Sequence, residues 1–367
     1  MKKYAILSLF FLMALQTSSL IAEEEPNYYV NRSKQIELDR GSDLYLGGDF
    51  LFWIAQENGL FYSQGGRSGV PHRSLLGTSD FQGRLNKVKP HTHPGVRLNL
   101  GYKLLNHDQW DLLASWTWYY SNRERYDHES ITILYGHVHV DNPNIIDAGT
   151  QSDGTFSGYK WRMKYQVYDF GIGRLFKTGK FFSLRPEIGI RGARIPQYLH
   201  MQFVFENRQN SISFPATVKV KSNFSGAGIK AGLDGGFHLP YDFHIIGKAS
   251  LALLYGTIST AYHEYSYYFD VPSNRLVGKL YADLNEKNNN NIYNGTLSLG
   301  VQWDRLFTNS DNKRLCYLAL YTAYEAIYWN SINKIMHFVH GMHEGKFYKE
   351  NGHLSLQGIT AGMRLDF

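Results

Sequence analysis

The feature that most limits how this chain can fold is its two-residue period. At residues 359–367, Ile359, Ala361, Met363, Leu365 and Phe367 are apolar, and Thr360, Gly362, Arg364 and Asp366 lie between them. Alternation of this kind gives a strand one apolar and one polar face. The pattern recurs along the chain. Leu44, Leu46, Phe50, Phe52 and Ile54 share one face, and Val96, Leu98, Leu100 and Tyr102 oppose Arg97, Asn99 and Gly101. Trp110, Leu112, Ala114, Trp116, Trp118 and Tyr120 make an unbroken apolar face, and Phe182, Leu184, Pro186, Ile188 and Ile190 oppose Arg185, Glu187 and Arg191. A six-residue apolar face needs a cover in water and none in a bilayer, where Trp and Tyr suit the interfaces. Pro186 is an irregularity, because proline inside a strand normally marks a sheet edge.

The connections alternate in length. Short turns fall near Asn106, Lys177, Pro240 and Asp311; long polar segments follow Trp53, Tyr120, Arg191, Tyr255 and Trp329. Outer-membrane barrels have short periplasmic turns and long outer loops, whereas a soluble sandwich has no reason to keep its long loops at one end. The expected fold is therefore all-β: an antiparallel up-and-down transmembrane β-barrel of about ten strands. Strand-like pieces at residues 131–140 and 201–205 extend the range to ten to fourteen. The segments at 121–158, 194–221 and 256–291 read as outer loops, the second with a hairpin above the membrane.

Composition agrees. No run of about eighteen apolar residues exists to make a spanning helix, and the mean hydropathy is −0.36. The 27 Tyr and 35 Gly fit a barrel in which only alternate residues meet lipid. A net charge of +6, dispersed along the chain, gives no basis for nucleic-acid binding. The first residues read as a secretory signal: Lys2 and Lys3, an apolar stretch, then Ser18, Ser19 and Ala22. Cleavage is expected after Ala22, with Ser19 as the alternative, so residues 1–22 form the signal peptide, 23–42 a periplasmic lead and 43–367 the barrel. Cys316, the one cysteine, excludes an internal disulfide framework and reads as a buried inert thiol.

The polar faces carry the candidate site. Arg97, Asn99, Arg185, Glu187, Arg191, Lys248, Arg364 and Asp366 are expected to line a lumen. Two readings follow. Opposite charges across a narrow water-filled pore would set its selectivity; alternatively, ion pairs would plug a barrel little wider than its own side chains. The basic excess in that set favours weak anion preference, provided that Asp49, Asp111, Asp304 and Glu325 lie away from the constriction. His137 with His139, His91 with His93, and His337, His340 and His343 lack the spacing of a metal motif and read as solvated loop histidines. No catalytic motif stands out, so no enzyme, metal or cofactor is expected.

Asp49 to Trp53, Pro94 to Tyr102, the Trp110 to Trp118 stretch, Arg185 to Gly192, Ser250 to Gly256, Gly300 to Asp304 and Tyr324 to Trp329 resemble, in order and spacing, the Legionella-type major outer membrane protein family, also called MOMP-like. The resemblance implies a surface-exposed, pore-forming outer-membrane barrel of intracellular or amoeba-associated Gram-negative bacteria, with no catalytic residues. Phe367 resembles the terminal aromatic signal read by barrel-assembly machinery. The expected partners are the outer-membrane bilayer, that machinery, small hydrophilic solutes and a host-cell surface. The expected function is a porin-like pore for small hydrophilic solutes; the alternative is a structural or adhesive protein whose barrel only anchors its loops.

Overall fold

The computed structural model describes residues 43–66, 83–104, 110–127, 152–178, 181–207, 212–270, 275–308, 314–338, 347–349 and 351–367. The expected signal peptide and lead, and the histidines at 137, 139, 340 and 343, lie outside the described residues. The strands, in chain order, are β1 (Leu44–Glu57), β2 (Phe61–Gly66), β3 (Gly83–Lys87), β4 (Thr92–Leu104), β5 (Trp110–Asp127), β6 (Ser152–Arg174), β7 (Phe176–Thr178), β8 (Phe182–Asn207), β9 (Ile212–His238), β10 (Phe243–Asp270), β11 (Arg275–Thr308), β12 (Arg314–Asn333), β13 (Met336–Phe338), β14 (Phe347–Lys349) and β15 (Gly352–Asp366).

One sheet runs β6-β5-β4-β1-β15-β12-β11-β10-β9-β8, with β7 as a short annex, and the additional pairing of β6 with β8 closes it. Leaving out the three-residue β7, this is a ten-stranded antiparallel barrel. The first long strand meets the last, with Leu46 opposite Leu365 and Phe50 opposite Ala361. Closure matters because a bilayer offers no partner for an unpaired amide or carbonyl. β2 with β3, and β13 with β14, form separate two-stranded ribbons. The four expected short connections join β4 to β5, β6 to β8, β9 to β10 and β11 to β12. At the β9–β10 turn, Tyr241 and Asp242 take φ of 64° and 62°, as a tight hairpin turn requires. Pro186 is tolerated because the ladder beside it is interrupted. Pairing toward β6 ends at Gly173 with Glu187 and resumes in β7 at Phe176 with Leu184.

Two segments expected to be loops are largely strand, and a third is strand at both of its ends. β8 and β9 continue through much of 194–221, β10 and β11 through nearly all of 256–291, and β5 and β6 into both ends of 121–158. β11 reaches 34 residues, whereas about 9–11 suffice to cross a bilayer. The barrel therefore stands well clear of the membrane on the long-loop side. Cys316 is half-exposed beside the inward Tyr317, rather than buried in a core.

The two wall faces exchange character with height. In the half nearest the short turns, the outer wall is apolar. Phe50, Leu98, Phe170, Ile188, Ile229, Leu251, Leu297, Tyr324 and Ile359 are exposed there. Higher up the pattern inverts. On β6, Tyr168, Phe170 and Ile172 face outward below, and Arg162 and Lys164 face outward above, where Tyr159, Trp161, Met163 and Tyr165 turn inward and are buried. On β9, outward Ile229 and Leu233 give way to outward Lys219 and Lys221, with Val218, Val220 and Phe224 buried inside. β8 does the same: Ile188 and Ile190 face out below, while Ile195, Leu199 and Met201 are buried above. An apolar outer wall meets lipid and a polar one meets water, so the inversion marks the outer edge of the bilayer.

Leu98→Arg, in the lower half, should therefore destabilise the folded barrel by about 2–4 kcal/mol. Lys221→Gln, above the inversion, should change stability by less than about 0.5 kcal/mol. Urea unfolding of both variants in neutral phosphatidylcholine vesicles measures the difference, and equal effects would put the edge of the bilayer elsewhere.

Candidate functional site: the barrel lumen

Ten strands leave an interior about as wide as side chains can span, and here they span it in two storeys. The lower storey, level with the lipid-facing wall, is polar. Arg97 on β4 reaches Glu325 on β12 at 2.8 Å and Asp49 on β1 at 3.3 Å, and its Nε donates to Thr117 on β5 at 3.1 Å. The Tyr321 hydroxyl and, at 3.5 Å, the Asn99 amide donate to Asp49. Thr360 donates to Glu325 at 3.0 Å and accepts the Trp53 indole N–H at 3.2 Å. Removing charges from water is costly unless the remaining lone pairs and protons are also bonded. Here each carboxylate has a cation and at least one hydroxyl.

A second network lies on the β5–β6–β8–β9 side. Arg185 pairs with Asp111, with Glu187 at 2.8 Å and with Asp234 at 3.1 Å. Lys230 bridges Glu187 at 2.7 Å and Asp169 at 3.3 Å. Arg191 holds Asp169 through two nitrogens, each at 2.7 Å, and also donates to Asn294 on β11. Glycines make room for these groups. A Cβ on Gly173 would lie 2.5 Å from the Arg185 guanidinium, and one on Gly362 2.5 Å from Asp49.

Nearest the short turns, Asp366 receives Lys103 at 2.6 Å and Arg364 at 2.7 Å, while the Arg364 guanidinium lies 3.8 Å from the centre of the Tyr45 ring. The Tyr317 hydroxyl donates to Asp304 at 2.8 Å; His244 contacts Asp304, and its ring nitrogen lies 2.6 Å from that of His238. Lys248 lies 5.6 Å from the Tyr321 ring centre and pairs with no carboxylate among the described residues. A cavity of about 260 Å³ opens here, lined by Lys103, Arg185, Asp234, Lys248, Arg364 and Asp366 among others.

The upper storey is mainly apolar, and aromatic rings occupy its centre. Trp53 on β1 packs on Tyr119 of β5 at 5.8 Å between ring centres and on Tyr165 of β6 at 6.3 Å. Tyr165 meets Trp329 of β12 at 6.1 Å, and Trp329 meets Phe224 of β9 at 6.1 Å. Strands β6 and β12 are five steps apart around a ten-strand ring, so the Tyr165–Trp329 contact spans the full diameter. Trp53, Tyr119 and Trp329 are each 0% exposed. Leu51, Met163, Ile195, Leu254, Ile292, Leu354 and Leu356 fill the space around them.

Every residue assigned to the lumen from sequence points inward. Arg97 and Asn99 share one network, Arg185, Glu187 and Arg191 the other, and Arg364 and Asp366 bind each other; Lys248 lines the cavity together with Arg185, Arg364 and Asp366. The condition attached to anion preference is not met. Asp49, Asp111, Asp304 and Glu325 also face the lumen and, with Asp169, Glu187, Asp234 and Asp366, offset Arg97, Lys103, Arg185, Arg191, Lys230, Lys248 and Arg364. Trp53 and Tyr119 lie on the faces of β1 and β5 opposite the apolar rows legible in the sequence; that they meet Tyr165, Phe224 and Trp329 across the lumen depends on the arrangement of β6, β9 and β12, which local periodicity does not give. Phe367 is partly exposed, and its amide donates to the Leu44 carbonyl at 3.3 Å. The His91 and His93 rings lie 5.2 Å apart. Among the described residues no group of three or more His, Cys, Asp or Glu side chains is placed to hold a metal.

Residues 40–367 match the family described as Legionella pneumophila major outer membrane protein precursor. The chain belongs to that family. It is an outer-membrane barrel in contact with the lipid bilayer. No curated protein matches it by sequence. Among solved structures, the outer membrane protease OmpT from Escherichia coli is 12% identical, covering 91% of this chain and 100% of that one, with a TM-score of 0.44. A Pseudomonas aeruginosa FadL homologue is 10% identical, covering 88% and 89%, with a TM-score of 0.24. The TodX deltaS2S3 mutant monoaromatic hydrocarbon channel is 8% identical, covering 89% and 91%, with a TM-score of 0.23. These three likenesses are too distant to carry any functional argument.

Two outcomes follow from the packing. Arg97→Met should cost about 3–5 kcal/mol, because Asp49 and Glu325 would stay buried without their cation. Adding Asp49→Asn and Glu325→Gln should restore much of it; no restoration in urea unfolding would show that Arg97 acts through packing alone. Above the bilayer, both Glu57 carboxylate oxygens lie out of water, and burial pushes that carboxyl from 4.5 up to about 8. Folded Glu57 therefore holds a proton that the unfolded chain has released between those values. Its contribution to stability is complete below about 4.5 and is lost as pH rises to about 8. Glu57→Gln should flatten the stability profile across that window, and an unchanged profile would show that another group sets it.

Proposed function

We propose that this family member is a closed outer-membrane barrel whose role is to hold its tall strand hairpins and loops at the cell surface. The observation that carries this reading is the contact between Tyr165 and Trp329 across the diameter, within a storey built from β1, β5, β6, β9 and β12. Water and solutes need a continuous path, and the centre of that storey is occupied by rings. Strands that run far beyond the bilayer supply a rigid pedestal, where a transport pore needs only short walls. We propose residues 1–22 as the export signal and the barrel-assembly machinery as a transient partner. The reading requires no catalytic residue.

The second reading is a narrow pore for small hydrophilic solutes. It is favoured by the 260 Å³ cavity at the short-turn end and by Lys248 beside it. In this reading Arg97, Asn99, Arg185, Glu187, Arg191, Lys248, Arg364 and Asp366 line the path, and the aromatic storey is its gate.

Planar-bilayer recording separates the two. Wild-type protein, folded and inserted, should give no discrete current steps, whereas Tyr165→Ala combined with Trp329→Ala should open a conducting path. Regular steps from the wild-type protein would overturn the closed-barrel reading in favour of the gated pore.

A further inference from the structure

The outer wall immediately above the lipid-facing zone is not uniform around the barrel. On β6, β8 and β9 it is basic. Arg162, Lys164, Arg194, Lys219 and Lys221 are all exposed there, and Lys160 is half-exposed. The sheet register sets them in adjacent rows. Arg194 lies between Gln166 and Ser225; Arg162, Tyr198 and Lys221 form one row; Lys160, His200 and Lys219 form the next. With neighbouring strands about 4.8 Å apart, the ends of a row are about 10 Å apart. Lys160 pairs with Glu124 at 2.5 Å. Arg162, Lys164, Arg194, Lys219 and Lys221 form no direct ion pair among the described residues, although the charge of Arg162 also acts on Glu124. The field of this group is felt inside it: burial, then the charges of Lys219 and Lys160, hold the His200 imidazole below its usual value.

At the same height the facing wall carries Ser355 and Gln357 on β15, and β11, two strands from β9, carries a single exposed cation, Lys287, among Asn285, Asn289 and Asn291, with exposed Asp283 above it. The basic patch is also continuous with the apolar wall beneath it. Tyr120 on β5 pairs in register with Lys164, and Trp118 with Gln166. A ligand that fits both must have acyl chains below and negative charge above, at the level of the outer headgroups. Arg and Lys recognise phosphate by charge and by directed N–H groups, and basic side chains at a membrane surface draw anionic lipid.

We propose that the β6–β8–β9 wall binds the phosphorylated glycolipid of the outer leaflet. Its acyl chains lie along Phe170, Ile190 and Ile229, and its phosphates sit among Arg162, Lys164, Arg194 and Lys221. This assignment stands whether or not the lumen conducts.

The test titrates detergent-solubilised protein with diphosphoryl lipid A, its dephosphorylated form and phosphatidylglycerol, and reads bound lipid by native mass spectrometry. The wild-type protein should prefer diphosphoryl lipid A to both others, and binding should weaken as salt rises. Replacing Arg162, Lys164, Arg194 and Lys221 together by Gln should weaken it by at least about tenfold. Lys287→Gln, on β11, should leave it unchanged. Heat-modifiable mobility on gels checks that each variant is folded. Should the fourfold variant fail to fold, Arg194→Gln alone and the salt dependence of the wild type still decide. Equal binding by the folded fourfold variant, equal binding of the dephosphorylated lipid or of phosphatidylglycerol, or binding indifferent to salt would each overturn the proposal.

Discussion

In a ten-stranded barrel the opposite walls lie within side-chain reach of each other. Tyr165 touches Trp329 from β6 to β12, and Arg97 spans from β4 to Glu325 on β12. Once inward side chains can meet, they must satisfy one another, because little bulk water remains to do so. Cations then need carboxylates, carboxylates need hydroxyls, and glycines must clear space for guanidinium groups. The networks around Arg97 and Arg185, and the cradling glycines Gly173 and Gly362, all follow from that one dimension.

The second organising constraint is that the solvent on the outer wall changes with height. Period-two alternation fixes only that the two faces differ; the surroundings decide which face is apolar. Below the bilayer edge the apolar face points out, as at Ile188 and Ile190. Above it the apolar face points in, as at Ile195 and Leu199. β8 makes this exchange without leaving the sheet, since its register with β9 runs unbroken from Phe182 to Asn207. The upper barrel therefore has an ordinary water-soluble core, set on a membrane-spanning base.

That exchange explains what the sequence revealed and what it concealed. The ten-strand barrel, the four short turns and the lumen side of Arg97, Arg185 and Arg364 were legible, because one face of each strand was uniformly apolar within the bilayer. The upper parts of β8 to β11 read from sequence as outer loops, the β8–β9 segment with a hairpin above the membrane. Lys219 and Lys221 alternate with Val218 and Val220, but a search for lipid-facing apolar residues finds charge on the outer face and stops. The partners of the lumen charges were not legible either. Arg97 is 228 positions from Glu325, and Arg191 is 103 from Asn294. Such pairs depend on the relative register of strands that are not neighbours in the sheet.

A polar lower storey is not the most stable way to fill a narrow barrel. Well-packed apolar groups of similar volume often replace buried ion pairs without loss. A strand apolar on both faces, however, would be a continuous apolar run, prone to aggregate before insertion. Alternating Arg97 and Asn99 with Val96 and Leu98 keeps such a segment water-compatible until the barrel closes, and the chain's mean hydropathy is −0.36 despite its lipid-facing wall. The cost is paid in the fold: charges retained for passage through water end up in a narrow lumen, where most of them form ion pairs. The density of ion pairs around Arg97, Arg185 and Asp366 therefore follows from delivery through water, and charge inside this barrel is not by itself a sign of a conducting path.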